Sequence, residues 1–290
     1  MIPEPPTGES HEFETSDRGA PMRRFPGARS RPSRRAVILA GGKGSRMGLH
    51  TTVLPKPLLP IGDRAILDVV VRQLRFHGFT DLTLAVGYLA HLIQAVFGDG
   101  SKHDVSITYQ KEPEPLGTAA PLAMMDRPDD TFLFMNGDVL TTLDYQALLD
   151  AHRESSNMLT IASHRRVVSS DYGVMHVDSE AGQTRLLTGY EEKPEVLFTV
   201  SMGVYVAEPE VLDFIPRHRH FDVPELVHAL LDAGQPVGSY EFDGFWLDIG
   251  HHEDYERAVV EFDSLKDALL CEDRAAAKAG IATAGLTASR

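Results

Sequence analysis

An α/β fold built on a largely parallel sheet is what this chain predicts, and three observations carry the prediction. Short apolar runs alternate with segments of helical spacing from residue 36 to residue 153. The first run, Ala36 to Ala40, empties into Gly41, Gly42 and Gly44, as a buried strand does where it meets a ligand. A later run, FLFM at 132–135, is followed at once by Asn136-Gly137-Asp138.

Residues 1 to 33 are rich in Pro, Arg, Glu and Ser without periodicity and read as a flexible tail, so the domain is expected to span 34–265. After the glycine turn, each proline of Pro55-Lys56-Pro57 disfavours helix in the residue before it, which puts Lys56 on a stiff, extended segment able to reach back over the loop. Ile66, Leu67, Val70, Val71 and Leu74 share a helical face that ends at Gly78. Strands are expected at Leu82 to Val86, Val105 to Tyr109 and Thr131 to Met135, with helices at Tyr88 to Phe97 and Tyr145 to Arg153. From residue 158 the pattern turns strand-like and turn-punctuated: Leu159 to Ser163, Gly173 to Val177, Val200 to Val206 and Val237 to Phe242. Short helices are expected at Pro209 to Ile215 and Val223 to Ala233, and this half forms a smaller substrate lobe on the same sheet. Residues 266–290 are an alanine-rich tail, helical and then disordered, and no internal repeat is present.

A chain of 290 residues, 42% hydrophobic, can bury a sizeable core as one domain with a smaller lobe. One cysteine, Cys271, excludes an internal disulfide and a cysteine-rich metal site, which suits a reducing cytoplasm. No apolar run is long enough to span a membrane, and the first residues hold no secretory apolar core. The net charge of -14 argues against general affinity for nucleic acid or anionic membrane. A small phosphorylated ligand needs only a few local cations.

The glycine turn supplies such a place. Without Cβ atoms, its backbone N–H groups can converge on an anion, and Arg46 and Lys56 bring positive charge beside it. The spacing fits neither the Walker A loop, which needs four residues between its glycines and then Lys-Ser/Thr, nor the Gly-x-Gly-x-x-Gly dinucleotide fingerprint. Asp138 and Asp248 each follow an apolar run, FLFMNG and FWL, so both can reach one cleft at the strand ends.

Taken together, LAGGKGSRM, PKPLLPIGDRAIL, EPEPLGTAAPL, FMNGDVL, DYGVMHVD, EEKP, SMGVYV and FWLDIGHHEDYERA, in that order, resemble the sugar-1-phosphate nucleotidylyltransferases in their short form without a β-helix domain. The likeness covers roughly residues 34 to 262, and PLGTAAPL is similar to the mannose-1-phosphate guanylyltransferases. It implies a Rossmann-like three-layer α/β/α sandwich with a mixed sheet. It also implies attack by a sugar-1-phosphate oxygen on the α-phosphorus of an NTP, giving NDP-sugar and pyrophosphate. By the match, Leu39, Gly41, Gly42, Gly44 and Ser45 lie on the nucleotide, Arg46 stabilises departing pyrophosphate, and Lys56 neutralises the transition state. Asp138 and Asp248 match metal-binding aspartates, a hard oxygen set that suits Mg²⁺. Tyr172, Gly173, Glu192, Lys193 and Ser201 match the sugar-phosphate side, and Trp246 packs near the site or in the core.

The same likeness puts Glu112, five residues before Gly117, on the Watson–Crick edge of the base. A carboxylate only accepts hydrogen bonds, and guanine offers two adjacent donors, so Glu112 favours GTP over UTP or dTTP. The sugar stays open: Ser201-Met202-Gly203 stands where many relatives have Asn-Ala-Gly, a shorter and then a bulkier side chain that argue against a pocket built for mannose and leave glucose, a heptose or a cyclitol phosphate. His251 and His252 depart from the usual Gly-Thr-Pro and read as a helix start. The alternatives to a guanylyltransferase are a UTP- or dTTP-dependent enzyme and a regulatory subunit that senses nucleotide-sugars without reacting. Analogy with relatives suggests a homodimer.

Overall fold

The computed structural model describes residues 34–270 apart from 43, 48–49, 113 and 179–183. The expected tail over 1–33, and all of the one expected over 266–290 beyond residue 270, lie outside the described residues. Thirteen strands are described: β1 Arg34–Ala40, β2 Pro60–Ile61, β3 Arg64–Ala65, β4 Phe79–Val86, β5 Ser106–Lys111, β6 Phe132–Asn136, β7 Val139–Thr141, β8 Leu159–Ser169, β9 Val174–Val177, β10 Leu187–Glu191, β11 Glu195–Ala207, β12 Val237–Glu241 and β13 Trp246–Asp248. The helices are α1 His50–Val53, α2 Ile66–Phe76, α3 Ala90–Phe97, α4 Tyr145–Ser155, α5 Val223–Asp232 and α6 His252–Leu270. None is long and apolar enough to cross a membrane.

Seven strands form the central sheet in the order β12-β8-β11-β6-β1-β4-β5. All its pairings are parallel except those of β11, which runs antiparallel to both β6 and β8. The sheet is therefore mixed. β1 lies between β4 and β6, and side chains pack on both its faces, which is why RRAVILA reads as an apolar run rather than as alternation. Ala36, Ile38 and Ala40 pack on one side with Leu67, Val70, Leu74, Ile93, Phe97 and Leu148 from α2, α3 and α4. Val37 faces the other side, with Phe132, Phe134, Leu226 and Leu230, under α5. A third cluster joins Ile66 and Val69 of α2 to Leu247, Ala258 and Phe262, so α2 is sandwiched between the sheet and α6.

Two stretches run longer than their patterns indicate. β8 and β11 pair from Leu159↔Ala207 out to Ser169↔Glu195, well past the expected ends at Ser163 and Val200. Their outer halves are exposed, so no inward-outward alternation marks them. With β9 and β10 they form the smaller lobe, on which Val167, Tyr172, Met175, Leu187, Tyr190 and Leu197 are each more than half exposed. α6 runs to Leu270, with Leu269 and Leu270 buried, so the first residues of the stretch expected to start as a helix at 266 continue it. Lys56 also differs from expectation. It opens a 3-10 turn, Lys56–Leu58, closed by Leu58 N–H to Pro55 O at 2.8 Å and Leu59 N–H to Lys56 O at 3.0 Å. Pro57 sits where the first turn requires no N–H donor.

One buried polar group under the sheet has a pH consequence. His152 of α4 places Nδ1 2.8 Å from Thr160 Oγ1 and Nε2 3.0 Å from Glu208 Oε1. Burial pushes its pKa below the ordinary 6.5, with the Glu208 contact offsetting part of the effect. The folded protein then binds this proton less readily than the unfolded chain. Stability is fully present above pH 6.5 and falls as pH drops from there toward the lowered folded value, by at most about 1.4 kcal/mol per pH unit. Urea unfolding at pH 7.5 and 5.5 is expected to show a smaller acid loss in His152→Gln than in wild type. Equal losses would place the acid sensitivity elsewhere.

Candidate active site

The loop after β1 is held by close backbone approach. Gly41 O accepts from Tyr88 N–H at 3.4 Å, and a Cβ on Gly41 would overlap the carboxylate of Glu112. A side chain at 41 would thus displace a carboxylate that lines the cleft. Beyond the loop, the 3-10 turn Ser45–Met47 carries an exposed Arg46, whose Nη1 is 3.5 Å from His251 Nε2. The Ser45 side chain lies outside the described residues. Lys56 is buried to 8% exposure and forms an ion pair with Asp138.

The fold explains how two distant aspartates meet. Gly137 N–H donates to Leu39 O at 2.9 Å, tying the end of β6 to the end of β1 and setting Asp138 over the glycine loop. β7 then pairs antiparallel with β13 in the register Asp248↔Val139, and Ile249 N–H donates to Asp138 O at 3.1 Å. Asp248 is therefore delivered beside Asp138. Burial raises its pKa, and the Asp138 carboxylate raises it further, while Lys56 and Arg46 offset part of the rise. Two hard oxygen donors short of countercharge fit a divalent cation such as Mg²⁺.

Glu112 follows β5, with its N–H donating to Val86 O at 2.9 Å. Leu116 N–H approaches its Oε2 at 3.5 Å, and burial raises the carboxylate's pKa. Glu112 and Gly117 stand at one part of a cleft of about 360 Å³ whose walls also include Leu39, Gly41, Gly42, Gly44, Arg46, Lys56, Asp138 and Asp248. Ten residues singled out from the sequence thus share one cleft. Asn136 and Thr118 line it as well. Asn136 is named above without a role and Thr118 not at all, although both stand inside the quoted FMNGDVL and PLGTAAPL.

The residues matched to the sugar side are not part of this cleft's wall. Tyr172 and Gly173 lie in the turn before β9, and Glu192 and Lys193 in the turn after β10. The two turns adjoin: Tyr190 Oη donates to Glu192 Oε2 at 2.8 Å, and a Cβ on Gly173 would press on both groups. Lys193 has a φ of 47°. Ser201 stands apart midway along β11, the last exposed position before the buried run that begins at Met202, its Oγ 3.0 Å from Tyr205 Oη, beside a register shift in the ladder. The Tyr205 hydroxyl is raised mainly by burial, with the Asp248 carboxylate adding to the rise. Trp246 Nε1 donates to Met202 O at 3.0 Å, so the only tryptophan braces that shift. His252 begins α6 and pairs with Glu256 at 3.2 Å. Away from the cleft, His220 has two acidic neighbours, Asp222 and Glu225, but Asp222 Oδ1 already accepts from Thr118 and Glu225 Oε2 from Asp222 N–H.

A family model described as nucleotidyl transferase matches residues 35–264. The chain is similar to the UTP–glucose-1-phosphate uridylyltransferase of Synechocystis sp., 35% identical over 246 residues, which are 78% of this chain and 62% of that protein. It is also similar to the mannose-1-phosphate guanylyltransferase of Mycobacterium tuberculosis, 33% identical over 230 residues covering 78% and 64% of the two chains. The mannose-1-phosphate guanyltransferase of Debaryomyces hansenii is 31% identical over 234 residues, again with 78% and 64% coverage. The chain spans less than two thirds of the length of these relatives. Among solved structures, HddC from Yersinia pseudotuberculosis shares the fold with a TM-score of 0.60 at 22% identity, covering 79% of this chain and 99% of that one.

Proposed function

From the premise that this chain belongs to the nucleotidyl transferase family, we propose that it is a sugar-1-phosphate guanylyltransferase. An oxygen of the sugar phosphate attacks the α-phosphorus of GTP, the bond to the β-phosphate breaks, and pyrophosphate leaves with GDP-sugar as the other product. The observation that carries the reading is the convergence of Arg46, Lys56, Asp138 and Asp248 on one cleft with the glycine loop. Two anionic reactants repel each other, so the protein's task is charge neutralisation and alignment rather than covalent catalysis. The glycine-loop amides and Arg46 hold the triphosphate and receive the charge that develops on pyrophosphate. Lys56 lies against the carboxylate that faces the α-phosphate. Asp138 and Asp248 would hold Mg²⁺, which supplies Lewis-acid neutralisation of phosphate oxygens. Lys193 and Glu192, on the lobe, take the sugar phosphate and a sugar hydroxyl.

The choice of GTP rests on Glu112, the carboxylate that the Gly41 backbone leaves room for. Ionised, it accepts from guanine N1–H and the 2-amino group; uracil would set carbonyl oxygens against it. A pyrophosphate-release assay across GTP, UTP and dTTP with several sugar-1-phosphates tests this. Glu112→Gln is expected to lower the GTP-to-UTP ratio of kcat/KM by about 10- to 100-fold, the loss of a charge-assisted hydrogen bond. The same variant is expected to unfold at a higher temperature at pH 7 without nucleotide. Burial raises the Glu112 pKa, so stability is lost as pH rises from its ordinary 4.5 through the folded value, and the amide removes that penalty. A preference for UTP in the wild type would instead align the chain with the uridylyltransferase relative.

A further inference from the structure

We propose that Asp222 is a positioning residue for nucleotide recognition, latching the 116–120 loop so that Gly117 is presented to the base. This deepens the guanylyltransferase reading and rests on it. Asp222 precedes α5, far along the chain from the cleft, and its own N–H is held by Glu225 Oε2 at 2.8 Å. Its Oδ1 accepts from both Thr118 N–H, at 2.8 Å, and Thr118 Oγ1, at 3.0 Å. The Thr118 hydroxyl in turn accepts from Val223 N–H at 2.9 Å, so the same threonine grips the start of α5 from both sides.

The backbones reinforce the side chains. Phe221 N–H donates to Leu116 O at 2.7 Å, and Ala119 and Ala120 N–H both donate to Phe221 O at 3.0 Å. Gly117 sits inside this ring with a φ of 93°, where a Cβ would lie 2.7 Å from Phe221 O and 2.8 Å from Asp222 Oδ1. Only glycine fits there. Every neighbour of Gly117 is tied down, yet among the described residues its own N–H and C=O form no hydrogen bond, and Gly117 lines the cleft with Glu112. An aspartate serving only to start a helix has no need of a loop so distant in sequence. Tying the loop means that the uncommitted peptide meets the base already ordered, so no ordering cost is added on binding.

The test is the dissociation constant of the full chain for GTP and for UTP, measured by calorimetry alongside the thermal unfolding midpoint. The variants are Asp222→Ala, Thr118→Val, Thr118→Ser and the double Asp222→Ala/Thr118→Val. The expected result is GTP binding about 10-fold weaker in the first two, as for a lost hydrogen bond to a charged group. Thr118→Ser should bind as wild type does, and the double variant should lose less than the product of the two single losses, since the singles share the Thr118 hydroxyl bond to Asp222. Should Asp222→Ala fail to fold, Thr118→Val carries the measurement alone. Wild-type affinity in Thr118→Val overturns the inference. So does weakening that follows the unfolding midpoint across all variants, Thr118→Ser included. A wild-type chain that binds no nucleoside triphosphate overturns the functional reading itself and this inference with it.

Discussion

Asp138→Asn is expected to slow pyrophosphate release by about 10²- to 10³-fold at saturating substrates, the effect of removing one preorganised charge from a site where charge is the catalyst. Asp138 stands between the two kinds of positive charge the reaction uses. It forms an ion pair with Lys56, and with Asp248 it makes up the proposed Mg²⁺ ligands. The asparagine leaves one carboxylate for the metal, so the half-saturating Mg²⁺ concentration should rise together with the fall in rate. It also removes the neighbour that helps raise the Asp248 pKa, which brings that carboxylate closer to its ordinary value. Rate measured across a Mg²⁺ titration separates these effects. Wild-type turnover at ordinary Mg²⁺ would remove Asp138 from the catalytic set.

Lys56→Met is expected to cost a similar factor in rate and, in contrast, a measurable loss of stability without metal. The side chains of Lys56 and Asp138 are only 10% and 22% exposed. Removing one partner of a largely buried pair costs about 3 kcal/mol, because the other charge is left without compensation. Here the remaining charge is a carboxylate already beside a second one. Saturating Mg²⁺ is therefore expected to raise the unfolding midpoint of Lys56→Met by more than it raises that of wild type. Lys56→Met/Asp138→Asn should recover much of the stability and none of the activity. A double variant no more stable than Lys56→Met would mean that the ion pair itself contributes little.

The parts of the molecule buried on two sides were the most legible in its sequence. β1, β4 and β6 appear as apolar runs because helices cover both faces, and α2 appears because Leu67, Val70 and Leu74 share a face. The cleft was legible for a related reason: its charged residues directly follow those runs, and strand ends collect them. Sheet order was not legible, since pattern does not say which strands are neighbours, and the reversed direction of β11 leaves no local mark. The exposed halves of β8 and β11 carry no burial signal at all. Asp222 escaped notice because its role lies in a contact with Thr118, and residue spacing cannot show a contact across that distance.

The β8–β11 ladder behaves as a beam clamped at one end. Its inner half is sealed in the core, while its outer half stands in solvent and, with β9 and β10, carries the residues proposed to meet the sugar. A beam deflects most at its tip. Tyr172, Glu192 and Lys193 adjoin that tip, so under the proposed function they would meet the sugar where the least core stands behind them. Ser201 lies midway along the beam, where the buried run begins, beside Tyr205 and the Trp246 brace. Under the proposed function the second substrate would then be met at the solvent-standing tip and at the midpoint of one ladder, on residues that do not line the cleft of the glycine loop.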